Sequence, residues 1–189
     1  MIYLDNAATS FPKPECVYDA VDLYNRQNGR AVGRGTSDAG QHLQQIVNRC
    51  RFRAAQVLGA SANEEIVFTL NCTDSLNMII HGLLKPGDHV VTSVAEHNSV
   101  LRPLRHLEAN RDVTLTVVDV DDAGFFDAAD VEKAIRPETK LLMLQHASNV
   151  TGAIQPIEDV AALADKHSVS FAVDAAQTAG HIPLDVDQP

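Results

Sequence analysis

Apolar residues recur at helical spacing through residues 38–58: Ala39, Leu43, Ile46, Val47, Cys50, Ala54, Val57 and Leu58 follow the i, i+3, i+4, i+7 rule. Gly59 stands where a C-terminal cap belongs. Beyond it, short apolar runs bounded by turn residues predict strands over 66–70, 89–93, 113–118, 140–145 and 169–173. Helical patterns lie between them. One covers about 72–84 and is stopped by Pro86 and Gly87, and another covers 98–108 with Pro103 near its first turn, where proline is tolerated. A third runs over 128–135 with Asp127 as its cap, and a fourth opens at Pro156 and reaches His167. This alternation predicts an α/β protein with a largely parallel sheet. No internal repeat or low-complexity segment interrupts it.

Length and composition narrow the picture. A chain of 189 residues, 45% of them hydrophobic, can bury roughly 70% of the surface its unfolded form exposes, so one globular unit is expected rather than two domains. Fifteen basic residues against 25 acidic ones, a formal net charge of −10, provide no electrostatic footprint for nucleic acid or an anionic membrane. The nearest basic cluster, Arg26, Arg30 and Arg34, falls in a glycine-containing loop and reads as solvated surface or as an anion contact. No apolar run has membrane length, and the N-terminus MIYLDNAATS lacks a basic segment followed by an apolar one, so the expected location is cytoplasmic. Cys16, Cys50 and Cys72 are odd in number and widely spaced, which fits reduced thiols better than disulfides or a metal site; Cys16 and Cys50 read as plain helix residues. The histidines form no metal-binding spacing, and no phosphate-loop, nucleophile-elbow or dinucleotide fingerprint is present.

Candidate chemistry sits where predicted strands end, and in a parallel sheet those ends share one edge. Val169 to Val173 delivers Asp174 to such an end, with Gln177 three residues on. A carboxylate there suits a cationic group such as the protonated ring nitrogen of pyridoxal phosphate (PLP), or it caps a helix. Asn71-Cys72-Thr73-Asp74 opens a helix whose free N–H groups suit a phosphate, with the Thr73 hydroxyl as an extra donor; Thr73 as a plain cap is the alternative. Glu96-His97-Asn98-Ser99 offers an imidazole able to stack on an aromatic ring or carry a proton, although a lone histidine is more often structural. His146 to Gly152 includes Asn149, whose amide can bond a ring hydroxyl or serve only a turn, and a glycine that permits a tight turn. Taken jointly the four clusters favour a site.

The motifs YLDNAAT at 3–9, the FT…T…N turn at 68–77, EHNS at 96–99, SNVTG at 148–152 and VDAAQ at 173–177 occur in order over essentially the whole chain. With them the chain resembles the cysteine desulfurase group of PLP enzymes, which have the class V aminotransferase fold. The resemblance implies a three-layer α/β/α large domain of a fold-type I PLP-dependent transferase, with an N-terminal segment ahead of it. It implies that Cys72, Thr73 and their turn hold the cofactor phosphate, that His97 stacks on the ring and that Asn149 lies beside it. Asp174 would pair with the ring nitrogen and Gln177 with the ring oxygen, while Asn6, Ala7 and the loop around Arg34 would line the entrance. Asn71 and Cys72 depart from the family's glycine and small residue; asparagine tolerates left-handed backbone, and the Cys72 thiol would face the phosphate rather than serve as the sulfur-carrying nucleophile.

The resemblance also implies groups this chain does not contain. The Schiff-base lysine, in a Ser/Thr-x-His-Lys segment, the nucleophilic cysteine loop and the small C-terminal domain all lie further along than Pro189, and Lys13, Lys85, Lys133, Lys140 and Lys166 read as surface residues. The expected function is release of sulfur from L-cysteine to give L-alanine and an enzyme persulfide, by a homodimer that passes sulfur to an acceptor protein, with this chain a truncated and by itself inactive part. Selenocysteine lyase, another class V aminotransferase, or a catalytically inactive PLP-binding fragment are the alternatives. In the family two further strands separate the 66–70 and 169–173 strands, so the sheet should be incomplete and its open edges prone to association. Light scattering and circular dichroism of the 189-residue chain should therefore show poor solubility or dependence on a partner fragment; a cooperative, monodisperse monomer would contradict this.

Overall fold

The computed structural model describes residues 2–29, 32 and 38–187. Its contacts divide the chain into two compact units, Met1–Val67 and Phe68–Pro189. In the first unit α1 (Glu15–Gln27) and α2 (Asp38–Leu58) are followed by a single 3-10 turn, Asn63–Glu65. The expected end of α2 is observed: Gly59 takes φ 70°, and the Ala60 amide closes back onto the Ala55 carbonyl at 3.0 Å. Helix α1 is absent from the sequence-based pattern apart from the placing of Cys16. No residue of it is buried, and Pro14 supplies no capping side chain, so neither a buried stripe nor a cap marks it.

The second unit holds the sheet. Strands β1 (His89–Ser93), β2 (Thr114–Val118), β3 (Thr139–Gln145) and β4 (Ser170–Asp174) are all parallel, in the order β2-β1-β3-β4. Helices α3 (Cys72–Leu83), α4 (Asn98–Asn110), α5 (Ala128–Ala134) and α6 (Ile157–His167) complete it. Successive strand residues point to opposite faces, and the two cores follow that rule. Val90, Leu141 and Met143 pack with Leu76 and Ile80 of α3 and Leu104 and Leu107 of α4. Val91, Leu142 and Leu144 pack with Val131 of α5 and Val160 and Ala164 of α6. The result is the expected three-layer α/β/α arrangement, in which β1 and most of β3 are buried on both faces, as parallel strands require. Asp127 caps α5 as expected, its side chain accepting from the Ala129 amide at 2.8 Å.

One predicted strand is not formed. Residues 66–70 pair with no strand among the described residues, and Val67 and Leu70 are 68% and 88% exposed. An apolar, β-branched run reports a fit to a pleated surface, but a strand also needs a neighbour with which to share its backbone hydrogen bonds.

The strand order sets the place of any ligand. From β1 the chain moves outward to β2, returns to the other side of β1 as β3, and then moves outward to β4. Connections leaving β1 and β3 therefore diverge, which makes the carboxyl end of this pair the topological switch point where open α/β sheets bind their ligands.

Candidate active site

At that switch point the backbone ladder stops early. Strands β1 and β3 pair from His89 with Thr139 to Val91 with Leu142, and no further pairing joins them. Side chains bridge the remaining length. The Thr92 hydroxyl donates to the Met143 carbonyl at 2.7 Å. Oε1 of Glu96 accepts from the Ser93 hydroxyl at 2.7 Å and from the Gln145 amide at 3.0 Å. In return Nε2 of Gln145 donates to the Ala95 carbonyl at 2.7 Å. Glu96 is 6% exposed, and its Oε2 is buried with no hydrogen-bond partner. Loss of hydration outweighs the two donors, with repulsion from Asp174 added, and pushes the Glu96 pKa up to about 7.

Asp174 ends β4 opposite Gln145 in register, and its carbonyl accepts from the His146 amide at 2.9 Å. Its side chain is buried. Oδ1 accepts from the Ala176 amide at 3.0 Å and from the Cys72 thiol at 3.5 Å; Oδ2 has no protein donor among the described residues. A turn rather than a helix follows, so Asp174 is not a helix cap. The thiol of Cys72 faces this carboxylate. Burial, then the Asp174 charge and the hydrogen bond to it, push the Cys72 pKa up to about 11, so at neutral pH the thiol is a proton donor and a poor nucleophile.

Cys72 and Thr73 form the first turn of α3, where amides lack acceptors within the helix. The cap is Asn71, whose Oδ1 accepts from the Asp74 amide at 2.9 Å, so Thr73 is not needed as a cap. The Thr73 hydroxyl has no partner among the described residues. His97 caps α4: its Nδ1 accepts from the Ser99 amide at 3.2 Å and lies 2.7 Å from the Ser99 hydroxyl. With Nδ1 as acceptor the neutral ring carries its proton on Nε2. Thr73 and His97 line one open groove of about 500 Å³ between α3 and α4, together with Asn77, Arg102 and His106.

Asn149 lies in the tight turn after β3. Ser148 Oγ accepts from the amides of Val150 and Thr151 at 3.2 Å each, and Gly152 takes φ 75°, as the turn expected there requires. The Asn149 side chain is exposed. Gln177 follows Asp174 on the same sheet edge and is half-buried. Thus Cys72, Thr73, His97, Asn149, Asp174 and Gln177 all belong to the second unit, and those on strand ends share its carboxyl edge. Asn6 and Ala7 belong to the first unit, where Asn6 Oδ1 accepts from the Phe11 amide at 3.1 Å. Arg34 lies outside the described residues.

The donor set fits an anion joined to a flat cationic ring. It comprises the first-turn amides of α3 with the Thr73 hydroxyl, the His97 imidazole, and one Asp174 oxygen without a protein donor among the described residues; Thr73 and His97 share the groove, whereas Asp174, Asn149 and Gln177 do not line it. In the sequence Glu96 stands out only as part of the EHNS motif, and Gln145 carries no visible role. The available signal was a glutamate three residues beyond a strand buried along its whole length, where hydration is lost. Among the described residues no group of three or more potential ligands is placed to hold a metal ion, and no helix is long and apolar enough to cross a membrane.

Glu96 yields a pH prediction. Its proton is held more tightly in the folded state than at its ordinary pKa of 4.5, so its favourable contribution is complete below about pH 4.5 and is lost as pH rises through about 7. The loss amounts to about 3 kcal/mol. Unfolding of the protein and of Glu96→Gln, followed from pH 4.5 to 8, should show the glutamine variant gaining relative stability throughout that window. Parallel pH profiles would contradict a raised pKa.

The family model for class-V aminotransferases matches residues 2–189. Cysteine desulfurase IscS of Dictyoglomus turgidum is 36% identical over 193 residues, covering 99% of this chain and 48% of its own length. A probable cysteine desulfurase of Pyrococcus abyssi is 38% identical over 190 residues, covering 98% and 46%. The apo structure of cysteine desulfurase from Thermococcus onnurineus NA1 superposes with a TM-score of 0.92 at 38% identity, over 99% of this chain and 47% of that one. SspA in complex with cysteine superposes with a TM-score of 0.89 at 32% identity, over 100% and 54%. The chain spans about half the length of the curated relatives it matches. Its fold, the order of its motifs and the match along nearly all its residues place it in the class-V aminotransferase family.

Proposed function

We propose that the protein is a PLP-dependent cysteine desulfurase, and that the second unit carries the cofactor-holding part of its active site. The observation that carries this reading is Asp174: a buried carboxylate at a strand end, with Oδ1 occupied by an amide and a thiol and Oδ2 without a protein donor. A protonated ring nitrogen is the ligand that complements such an oxygen, and charge-assisted hydrogen bonds of this kind contribute about 1.5–3 kcal/mol. PLP supplies an electron sink for bond cleavage next to an amino group.

The chain's own residues do the rest. The first-turn amides of α3, at Cys72 and Thr73, and the Thr73 hydroxyl bind the phosphate, helped by the helix dipole. His97, fixed by Ser99 so that Nε2 bears the proton, stacks on the ring and can donate at Nε2. Asn149 and Gln177 contact the ring substituents. Cys72 stays a thiol that donates to Asp174, which leaves the sulfur-accepting role to a different cysteine. On the resemblance we place the protein in the cytoplasm as a homodimer that passes sulfur to an acceptor protein.

The test is incubation of the protein, as its source makes it, with PLP and L-cysteine, measuring alanine and, after reduction, sulfide. Equal amounts of both are expected, and Asp174→Ala should lower the rate by at least about a hundredfold, the scale expected when a buried charge-assisted contact is lost together with ring protonation. Keto-acid production without sulfide would favour an aminotransferase instead. No PLP uptake at all would remove the reading.

A further inference from the structure

We propose that Glu96 is a positioning residue for the cofactor: its carboxyl replaces the missing backbone ladder between β1 and β3 and thereby sets the imidazole of His97 against the carboxylate of Asp174. The inference deepens the PLP reading and rests on it.

Past Val91 and Leu142 the two central strands have no further register partners, yet Gln145 is 2% exposed and its amide needs an acceptor. Glu96 Oε1 is that acceptor. The same oxygen takes the Ser93 hydroxyl, which closes the turn from β1 onto itself. The Gln145 side chain binds the Ala95 carbonyl in the opposite direction. Residues 93–96 are therefore tied to the last residue of β3 by a two-way clasp with Glu96 at its centre.

What the clasp carries explains why it matters. On one side His97 follows Glu96 directly and starts α4 as its cap. On the other, Gln145 pairs with Asp174 across the β3–β4 ladder, and the next amide, that of His146, bonds the Asp174 carbonyl. Each is a link of one or two residues, so the imidazole and the carboxylate are joined through Glu96 and Gln145 with little slack. A ring held between them needs their positions fixed closely.

The chemistry of the acid suits a static part. An ionised Glu96 would place a second negative charge near Asp174. The burial that raises its pKa keeps much of it neutral near pH 7, so Asp174 remains the anion offered to the ring. The charged group acting on Glu96 is Asp174 at the end of β4, and its polar partners are Ser93 and the Gln145 amide. A glutamine keeps the Oε1 acceptor and the neutral charge, whereas alanine leaves the Gln145 amide orphaned.

The test uses the protein as its source makes it, unloaded and then titrated with PLP, reading dissociation constant by absorbance and ring orientation by visible circular dichroism of the bound cofactor. Glu96→Gln should bind within about threefold of the native protein and keep the sign and amplitude of the dichroic band. Glu96→Ala should bind at least about tenfold more weakly, the scale that loss of an outer supporting partner has at metal sites, and should lose most of the band. Amide hydrogen exchange at Gln145 should accelerate in Glu96→Ala and remain slow in Glu96→Gln. If Glu96→Ala does not fold, Gln145→Met carries the test, because it removes only the bond to Ala95; it should weaken PLP binding and reduce the band in the same direction. Native binding and dichroism in Glu96→Ala, or in Gln145→Met when the former does not fold, overturn the clasp while leaving the cofactor reading intact. Loss of binding in Glu96→Gln equal to that in Glu96→Ala overturns it too, since charge rather than geometry would then be at work. A native protein that takes up no PLP overturns the cofactor reading, and the proposal falls with it.

Discussion

Two central strands of a parallel sheet must part at their carboxyl ends if a ligand is to reach between the connections that leave them, and parting strips backbone groups of their partners. In this protein the separation starts after Val91 and Leu142, while β1 runs on to Ser93 and β3 to Gln145. A buried amide left without an acceptor costs about 1–3 kcal/mol. Thr92, Glu96 and Gln145 satisfy these groups with side chains where the backbone no longer can. The positions of His97, Asn149 and Asp174 depend on this replacement, because each follows one of the tethered residues closely in the chain or in the ladder.

Two carboxyls stand near one another at this edge, and their surroundings assign them different work. Glu96 is sealed under its turn with one oxygen satisfied and the other dry, which favours the neutral form and a structural role. Asp174 receives an amide and a thiol on one oxygen and leaves the other open. Cys72 belongs to the same arrangement. At a helix start a cysteine would ordinarily become more acidic, but burial and the facing carboxylate drive it the other way. It acts here as a donor that holds Asp174 in place.

Much of this was legible in the residues, and the gaps have physical causes. Strand–helix alternation from residue 72 onward, the Gly59 stop, the Asp127 cap and the tight turn at Gly152 all depend on local chemistry, and all are seen. Residues 66–70 carry an equally good strand pattern but no pairing, because pairing is a property of the neighbour as well as of the segment. Helix α1 escaped notice since its apolar residues, Val17, Tyr18, Val21 and Leu23, stay exposed and no capping side chain opens it. At the site, Asp174, His97 and Thr73 stood out as polar residues following predicted strands, although the strand predicted ahead of Thr73 is not formed. The part played by Glu96 did not, since it depends on where a ladder stops, and the direction of the Cys72 thiol depends on a partner 102 residues away.

We propose above all that the open oxygen of Asp174 is the partner of a protonated pyridine ring. A crystal structure of the protein loaded with PLP tests it most directly. The ring nitrogen should lie about 2.7–2.9 Å from Asp174 Oδ2, with the phosphate at the first turn of α3 and His97 over the ring. A cofactor seated elsewhere, or a ring nitrogen turned away from Asp174, would contradict it.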